Sequence, residues 1–314
     1  MAAFNVTLDD SSPLITYTPS NAWHDTPAND FAAKLYSRSS LHTSSIAGAA
    51  AELTFNGTGL WLYGGFRPSY GSYAVSVDGA QILRANATAP DLELRSLLAG
   101  VSGLDTGQHT VTLTSDGTGP IDIDYAIFET NVGTLGASLT NITVDDTNSQ
   151  MQYSPSASDW QQDSSSMFYN DSLHYSQTTG AQASLSFSGD AIAVYGTVSP
   201  LHANYTVCLD GVISQEFNAS DVRILHTQTL LYFAQNLSSS DHKLVITGLG
   251  ANGTGQYVDI DFISIYSAAN DSTATATHES GSSVGSATSG SSTTGAPSVV
   301  GGMTNPSLNS AADK

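Results

Sequence analysis

The sequence predicts an all-β protein with two tandem β-sandwich domains and a disordered C-terminal tail. Three observations support this prediction: apolar and polar residues alternate as in strands, long amphipathic helical patterns are missing, and most of the chain is an internal duplication. A length of 314 residues suits about two domains. We expect domains at 1–135 and 136–268 and the tail at 269–314.

The duplication consists of short matching segments that occur in the same order in both halves. The offset between matched segments stays between 132 and 137 residues, which is the length of a whole domain and too long for a solenoid repeat. The clearest pairs are 53–57 with 185–189, 73–79 with 205–211, and 121–124 with 258–261. Because the connector at 131–138 is short, we expect the two domains to contact each other.

The strand pattern is clearest around position 75. Tyr73, Val75 and Val77 point to one face of the predicted strand, and the polar residues between them point to the other. The following Asp78-Gly79 pair, like Asp210-Gly211 in the second copy, is typical of a two-residue hairpin turn. Strands of this kind recur through both copies, which favours two sheets packed face to face.

The charge balance excludes two classes of partner. The chain has 8 Lys and Arg against 28 Asp and Glu, which gives a formal net charge of −20. A protein this acidic is repelled by nucleic acids and by anionic lipid surfaces. We therefore expect no nucleic-acid partner, and the oligomeric state stays open.

The cysteine content and the first residues bear on the compartment. Cys208 is the single cysteine, so no disulfide can form within the chain. Residues 1–4 lack the basic and apolar regions of a signal peptide, and we expect that a natural signal was removed and a start Met added.

Glycosylation motifs indicate the secretory pathway. Ten of the 16 asparagines begin an Asn-x-Ser/Thr motif, more than the Ser- and Thr-rich composition would produce by chance. We therefore expect an extracellular or cell-surface glycoprotein, with a membrane anchor in a longer natural form as an open alternative. The motifs begin at Asn5, Asn56, Asn86, Asn141, Asn170, Asn204, Asn218, Asn236, Asn252 and Asn270.

The tail has the composition of a flexible stalk. Residues 270–314 contain 18 Ser or Thr, 6 Gly and no aromatic residue. Such a segment cannot bury enough apolar surface to fold. An O-glycosylated spacer and an arbitrary disordered terminus are both consistent with this composition.

The order of the motifs resembles a known domain family. Each copy carries a Tyr-x-Pro-Ser…Trp opening, a Leu-His…Gly-Ala segment, a Tyr-x-Val-x-x-Asp-Gly hairpin and a final Asp-Ile-Asp strand. This pattern is similar to the galactose-binding-like jelly-roll domains found in tandem in secreted and surface proteins of mushroom-type fungi. The resemblance implies a jelly-roll sandwich, a Ser/Thr-rich stalk and, in many members, a membrane helix. It also implies that a structural Ca²⁺ is possible; no other cofactor is expected.

Two pairs of aspartates could carry chemistry. Asp122 with Asp124, and Asp259 with Asp261, lie two residues apart on a strand, which places their Cα atoms about 6.6–7 Å apart. This spacing is compatible with a glycosidase acid–base pair or with part of a Ca²⁺ site. Because both copies carry the pair, a structural role that accepts loop N–H groups is the stronger alternative. The Asp-Asp pairs at 9–10 and 145–146 leave the same alternatives open.

The histidines and the catalytic motifs give no enzyme signature. His42, His109, His174 and His242 recur through the duplication, and we interpret them as hydrogen-bonded structural residues. The sequence has no His-x-x-x-His or Cys cluster, nucleophile elbow, phosphate loop or dinucleotide fingerprint.

Aromatic residues are the remaining candidates for a binding site. A sugar ring packs its C–H face on a flat aromatic side chain and needs polar groups beside it. The polar loops after each Tyr-x-Pro-Ser segment provide both, and the alternative is that the two tryptophans close the sandwich cores. The candidate ligand-binding residues are Trp23, Asp25, Trp160, Asp163, Tyr70 and Tyr169, with Tyr175 as a further aromatic. Trp61 is expected in the core or between domains, because its counterpart is Ala193.

These observations favour a non-enzymatic glycoprotein that binds carbohydrate, such as a cell-wall glycan. A structural or adhesive ectodomain without sugar binding is the second hypothesis. A carbohydrate-active hydrolase that uses the paired aspartates is the third.

Overall fold

The computed structural model describes residues 1–238, 240–250, 256–269 and 298–300. Strands dominate these residues, so the all-β prediction is confirmed. Within them, no helix has the length and apolar character needed to cross a membrane. The helical segments are short 3-10 turns at Ser20–Ala22, Ala33–Leu35, Ser37–Ser39, Ala157–Asp159 and Tyr169–Asp171.

The strands of the two repeats follow the same order along the chain. The first repeat contains β1 (Ala2–Asp9), β2 (Ile15–Thr18), β3 (His24–Asp25), β4 (His42–Ser44), β5 (Ala50–Phe66), β6 (Ser72–Val77), β7 (Ala80–Asn86), β8 (Glu93–Ser115), β9 (Ile121–Ile123) and β10 (Tyr125–Val132). The second contains β11 (Ser138–Asp145), β12 (Gln152–Ser154), β13 (Gln161–Ser164), β14 (Ser172–Ser176), β15 (Gln182–Ser188), β16 (Ala191–Val198), β17 (Tyr205–Leu209), β18 (Val212–Ile213), β19 (His226–Gln235), β20 (Asp241–Gly248), β21 (Val258–Ile260) and β22 (Phe262–Ala269).

Each repeat is a sandwich of a four-stranded and a five-stranded layer. In the second repeat the layers are separate sheets with the orders β11-β22-β16-β19 and β12-β15-β20-β17-β18. In the first repeat β5 and β8 run continuously through both layers, with a register shift between Gly57 and Gly59. A small third sheet, β3-β4-β9 or β13-β14-β21, lies beside each sandwich.

The predicted hairpin turns are present in both repeats. Asp78 and Gly79 connect β6 to β7, and Asp210 and Gly211 connect β17 to β18. All four residues have positive φ, between 50° and 82°, as a type I′ turn requires. Cys208 lies on β17, is half-buried, and is a free thiol.

The alternating apolar residues form one core in each repeat. Side chains such as Leu113 and Tyr73 in the first core and Leu185 and Ile192 in the second are at most 1% exposed. Burial of each such side chain contributes roughly 1.5–3 kcal/mol of transfer free energy. The cores therefore hold each sandwich together without a disulfide.

The two repeats contact each other extensively. The outer face of the four-stranded layer of the second repeat packs against the first repeat, where Phe4 stacks on Tyr266 with ring centroids 4.5 Å apart. Phe233 meets Phe4 and Phe128 edge-on. The Ser12 hydroxyl donates to the backbone carbonyl of Leu230 at 2.6 Å. The expected contact between the repeats is thus present.

Most of the predicted tail lies outside the described residues. One short strand, β23 (Ser298–Val300), pairs antiparallel with the edge of β8 at residues 100–102. The predicted disorder of 269–314 stays a prediction.

Candidate functional site

The two tryptophans proposed as sugar platforms lie in the cores. Trp23 and Trp160 are only 5% and 6% exposed. Each packs against a tyrosine of its own repeat, Tyr17 or Tyr153, with ring centroids about 5 Å apart. Most of each ring is therefore covered by protein, which is the core arrangement that the sequence analysis kept as the alternative, and a small part of Trp23 lines a cavity between the repeats.

The two tyrosines proposed with them differ in their surroundings. Tyr70 is 6% exposed and donates its hydroxyl proton to Asp122 Oδ2 at 2.5 Å. Tyr169 is half-buried against Phe262 with ring centroids 4.8 Å apart, and its backbone N–H donates to Asp261 Oδ1 at 2.8 Å. Both residues therefore attach loops to the Asp-Ile-Asp segment of their repeat.

The two carboxylates among the candidate ligand residues, Asp25 and Asp163, differ in exposure. Asp25 is buried between the repeats, where its Oδ2 lies 3.0 Å from His226 Nε2. Asp163 is exposed, accepts the backbone N–H of Ser164 at 2.8 Å, and lines a surface cavity of the second repeat. In the first repeat, Trp23 and Asp25 line one cavity of about 430 Å³ together with Arg223 of the second repeat, and Tyr70 lies elsewhere. In the second repeat, Asp163 lines its cavity without Trp160 or Tyr169.

Asp122 and Asp259 have structural hydrogen bonds. Asp122 accepts protons from Tyr36, Tyr70 and the backbone N–H of Gly65. Burial raises the pKa of Asp122, although these hydrogen bonds oppose the rise. Asp259 accepts the backbone N–H and hydroxyl of Thr197. Both carboxylates are at most 3% exposed, so they lack the solvent access that a glycosidase acid–base pair needs.

The second aspartate of each pair is different, because one of its oxygens lacks a partner. Within the described residues, Asp124 Oδ2 and Asp9 Oδ1 are buried without a hydrogen bond, and so are Asp261 Oδ2 and Asp145 Oδ1. Burial and the charges of Asp10 and Asp9 raise the pKa of Asp124 to about 8. Burial also raises the pKa of Asp261 to about 7.

These orphaned oxygens are the ones that fit a cation. Ca²⁺ prefers carboxylate oxygens, and the same pair of unpartnered oxygens occurs in both repeats. Asp124 with Asp9, and Asp261 with Asp145, would therefore hold a structural Ca²⁺ better than Asp122 or Asp259, whose oxygens are occupied by hydrogen bonds.

The duplicated histidines each contact an aspartate. His42 Nδ1 lies 2.7 Å from Asp10 Oδ2, and His174 Nδ1 lies 2.5 Å from Asp146 Oδ2. His109 and His242 pair in the same way with the turn aspartates Asp78 and Asp210.

Asp10, Asp25 and His42 also offer ligand atoms that lie within 4.8 Å of one another. Each of the three is buried and already engaged, because Asp10 binds Ser40 and His42 while Asp25 binds Thr26 and His226. This group therefore holds its geometry without an ion.

Eight of the ten glycosylation motifs fall in the described part of the chain. The asparagines at Asn56 and Asn204 are half-buried, and those at 252 and 270 lie outside the described residues. The exposed ones are Asn5, Asn86, Asn141, Asn170, Asn218 and Asn236.

The candidate site with an aromatic wall is a surface cavity of about 500 Å³ in the second repeat. We name it the Tyr257 cavity. This volume lies within the roughly 300–1,000 Å³ typical of small-molecule sites. Tyr175 and Tyr257, edge-to-face with centroids 5.5 Å apart, form part of its wall. The rim includes the exposed Leu201 and Leu225, and Asp163 and Arg223 bring one charge of each sign.

The polar lining of the Tyr257 cavity is a hydrogen-bonded set. His202 Nε2 lies 2.7 Å from Asp259 Oδ2, and His202 Nδ1 lies 2.7 Å from the Ser199 hydroxyl. The Thr197 hydroxyl lies 2.9 Å from His202 Nε2 and donates to Asp259. This set fixes the orientation of the imidazole, and the Ser199 hydroxyl oxygen keeps acceptor capacity toward a ligand.

The first repeat has no aromatic wall at the same place. The register places Thr43 opposite Asp122 where Tyr175 lies opposite Asp259. Pro120 precedes β9 where Tyr257 precedes β21.

The polar lining also differs between the repeats. Tyr70 and Arg67 stand where the second repeat has His202 and Ser199, and the Arg67 guanidinium packs between the rings of Tyr36 and Tyr70. Larger side chains thus fill the space that is open in the second repeat.

Sequence reasoning missed His202, Ser199 and Tyr257 because it looked for residues that both copies keep. The useful signal was a difference between the two copies. Within a duplicated fold, positions where one copy exchanges a large side chain for a smaller polar one mark a place where that copy has opened a cavity.

No protein-family model matches the chain. The chain is similar to an A type blood α-D-galactosamine galactosaminidase from Flavonifractor plautii, with 26% identity over 239 residues. This match covers 76% of the chain but only 21% of the galactosaminidase.

The solved structures that match the chain include a Paenibacillus xanthan lyase and the ANXUR2 extracellular domain from Arabidopsis thaliana. The xanthan lyase is 15% identical, with 79% of this chain and 25% of that chain covered and a TM-score of 0.29. The ANXUR2 domain is 9% identical, with 85% of this chain and 89% of that chain covered and a TM-score of 0.28.

Proposed function

We propose that the chain is a non-catalytic carbohydrate-binding protein whose ligand site is the Tyr257 cavity. The observation that carries this proposal is the paired wall of Tyr175 and Tyr257 beside the polar groups of His202 and Ser199. Aromatic faces contact the C–H faces of a sugar, and the polar groups bind its hydroxyls. The similarity to a galactosaminidase supports a saccharide of the galactose or galactosamine type.

The binding role is favoured over hydrolysis by the surroundings of the acidic residues. A glycosidase needs two carboxyl groups that reach the same glycosidic bond. In the Tyr257 cavity Asp259 is buried behind His202, while Asp163 is exposed at the surface. The match to the galactosaminidase spans about one fifth of that protein, which is compatible with an accessory module.

An extracellular or cell-surface location is part of the same proposal. Six exposed glycosylation motifs in the described residues support it, since these asparagines are accessible for modification. A structural or adhesive ectodomain that binds no sugar remains the competing hypothesis.

The test is a titration of the purified chain with galactose, N-acetylgalactosamine and galactosamine, followed by isothermal calorimetry. We expect saturable binding of at least one of them. Tyr257→Ala removes one wall and should weaken binding about 5- to 150-fold, the range of aromatic stacking on a flat ring. The matched control is Phe31→Ala, which removes an aromatic side chain that is 75% exposed and outside the cavity.

Two results would contradict the proposal. One is the absence of binding across these sugars and a wider glycan array. The other is equal binding by wild type and Tyr257→Ala while both unfold at the same temperature, since the cavity would then not be the site.

A further inference from the structure

The outer face of the four-stranded layer carries a flat aromatic surface in the first repeat. We define the platform face as Trp61, Tyr63, Leu97, Tyr125 and Ile127, which cluster together apart from the sandwich core. Trp61 and Tyr125 are partly exposed, and the other three are buried beneath and between them. The Tyr63 and Tyr125 rings stack with centroids 4.5 Å apart and 14° between their planes.

Trp61 lies flat because the sheet beneath it has glycines. A Cβ atom at Gly100, the cross-strand partner of Trp61, would lie 2.5 Å from its Cδ1 atom. A Cβ atom at Gly59 would lie 3.1 Å from its Cη2 atom. The indole therefore spans both glycines along the sheet, and part of its surface stays exposed.

The same face of the second repeat is already occupied. There Ala193 and Phe233 take the places of Trp61 and Gly100, and Ser264 takes the place of Ile127. That face packs against the first repeat, with Phe233 edge-on to Phe4. The platform face is thus the counterpart of the interface between the repeats, and no described aromatic residue of the second repeat packs on it.

A second protein copy is a poor occupant for this face. The surface that docks on the second repeat includes Phe4 and Leu14. The corresponding surface of the second repeat has Thr140 and Gln150 at these positions and the exposed glycosylation motif at Asn141. A chain that stacked head to tail would therefore bring polar groups, and a glycan where one is attached, against the aromatic rings.

Charge also limits the choice of ligand. The net charge of −20 disfavours anionic polymers and anionic lipids. The five side chains of the platform face carry no charge, so a neutral ligand with flat apolar faces is the best match.

We propose that the platform face binds a neutral β-1,4-linked polysaccharide, separately from the Tyr257 cavity. In such a polymer the equatorial hydroxyls leave flat C–H faces on each pyranose ring, and these faces stack on Trp61 and on Tyr125. The Tyr257 cavity takes a single small saccharide, whereas the platform face takes a polymer surface.

The test is depletion of the full chain from solution by microcrystalline cellulose and by chitin, with the unbound protein quantified after centrifugation. We expect wild type to bind at least one polymer and Trp61→Ala to bind it about 5- to 150-fold more weakly. Alanine is the residue that the second repeat has at this position, so the variant should keep its fold. An unchanged melting temperature verifies this.

The matched control is Phe31→Ala, which removes a 75% exposed aromatic side chain outside both sites and should bind the polymer as wild type does. Calorimetry with the small sugars is run on the same variants, so that failure of the cavity site and failure of the platform face give different results. The proposal is wrong if neither polymer depletes the wild type, or if Trp61→Ala is depleted equally. It is also wrong if the wild type is a dimer in sedimentation and Trp61→Ala is a monomer, since the face would then join two copies.

Discussion

His226 of the second repeat and Asp25 of the first form a buried pair across the interface, with Nε2 and Oδ2 3.0 Å apart. Asp25 Oδ2 also accepts the backbone N–H of Arg223 at 2.6 Å, and its Oδ1 accepts the hydroxyl of Thr26. Burial alone would raise the pKa of Asp25, but the hydrogen bond and charge of His226, with Thr26, hold it well below its ordinary value. The ionised carboxylate therefore joins the repeats.

Replacement of Asp25 by Asn should loosen this interface. Asp25 Oδ2 is the shared hydrogen-bond partner of Arg223, Ile224 and His226, and each buried donor that loses its acceptor costs about 1–3 kcal/mol. We expect Asp25→Asn to lower the melting temperature and to separate the unfolding of the two repeats in calorimetry. Asp163→Asn, at an exposed position, is the control and should leave the melt unchanged.

The pH dependence of the same pair has a defined sign. Because the pKa of Asp25 is lowered in the folded state, its contribution to stability is present above the ordinary value of 3.8 and is lost as the pH falls through the lowered value. The stability difference between wild type and Asp25→Asn should therefore shrink in acid. A difference that stays constant down to low pH would contradict the role of the carboxylate charge.

The sequence predicted the sandwiches well because their signals are local and duplicated. Alternation at Tyr73–Val77 and the Asp-Gly turns depend only on neighbouring residues, and the second copy repeats them. The interface was harder to predict. Asp25 and His226 are 201 residues apart, and the residue at the position of Asp25 in the second repeat is Gln162, so the duplication does not show the pair.

The direction in which a side chain points was also hard to predict from the sequence. Trp23 and Trp61 are both aromatic residues of one repeat, but the fold buries Trp23 in the core and lays Trp61 on the outer face. The deciding residues are Gly59 and Gly100, and Gly100 is a neighbour of Trp61 only after β5 pairs with β8.

A third prediction concerns Asp124, whose pKa is raised to about 8 by burial and by the charges of Asp10 and Asp9. In the folded state this carboxyl binds a proton more tightly than in the unfolded state, so stability should fall as the pH rises from about 4 to 8. Asp124→Asn cannot ionise and should be more stable than wild type at pH 8 by about 1–3 kcal/mol, the cost of an unsatisfied buried group. Urea unfolding at pH 5 and pH 8 measures the difference, which should be smaller at pH 5.

If the unpartnered oxygens of Asp9 and Asp124 bind Ca²⁺, added Ca²⁺ should make wild type more stable than Asp124→Asn at pH 8. At pH 8 we expect added Ca²⁺ to raise the melting temperature of wild type, because an ion that binds only the folded state stabilises it. Asp124→Asn should respond less, and only through the second repeat, where Asp145 and Asp261 have the same unpartnered oxygens. A double variant, Asp124→Asn with Asp261→Asn, should not respond. Equal Ca²⁺ responses in wild type and the double variant would exclude these residues as ligands.

The last prediction uses a difference in hydrogen bonding between the two core tryptophans. Trp160 Nε1 donates to the backbone carbonyl of Ser154 at 3.1 Å, whereas Trp23 Nε1 is buried without a partner among the described residues. The loop before Trp23 is one residue shorter, with five residues after Tyr17 against six after Tyr153, which changes the position of the carbonyl relative to the ring.

Phenylalanine keeps much of the ring volume and removes the N–H group. At Trp160 it also removes a hydrogen bond, which should add about 1 kcal/mol to the cost of the smaller ring. At Trp23 it removes a buried donor that has no acceptor, so the cost of the smaller ring should be partly offset. We therefore expect Trp160→Phe to lower the melting temperature more than Trp23→Phe, while alanine at either position costs about 3–5 kcal/mol. If Trp23→Phe is the more damaging variant, the Trp23 N–H has a partner in solution, and a bound water or ligand in the neighbouring space between the repeats is then the group to look for.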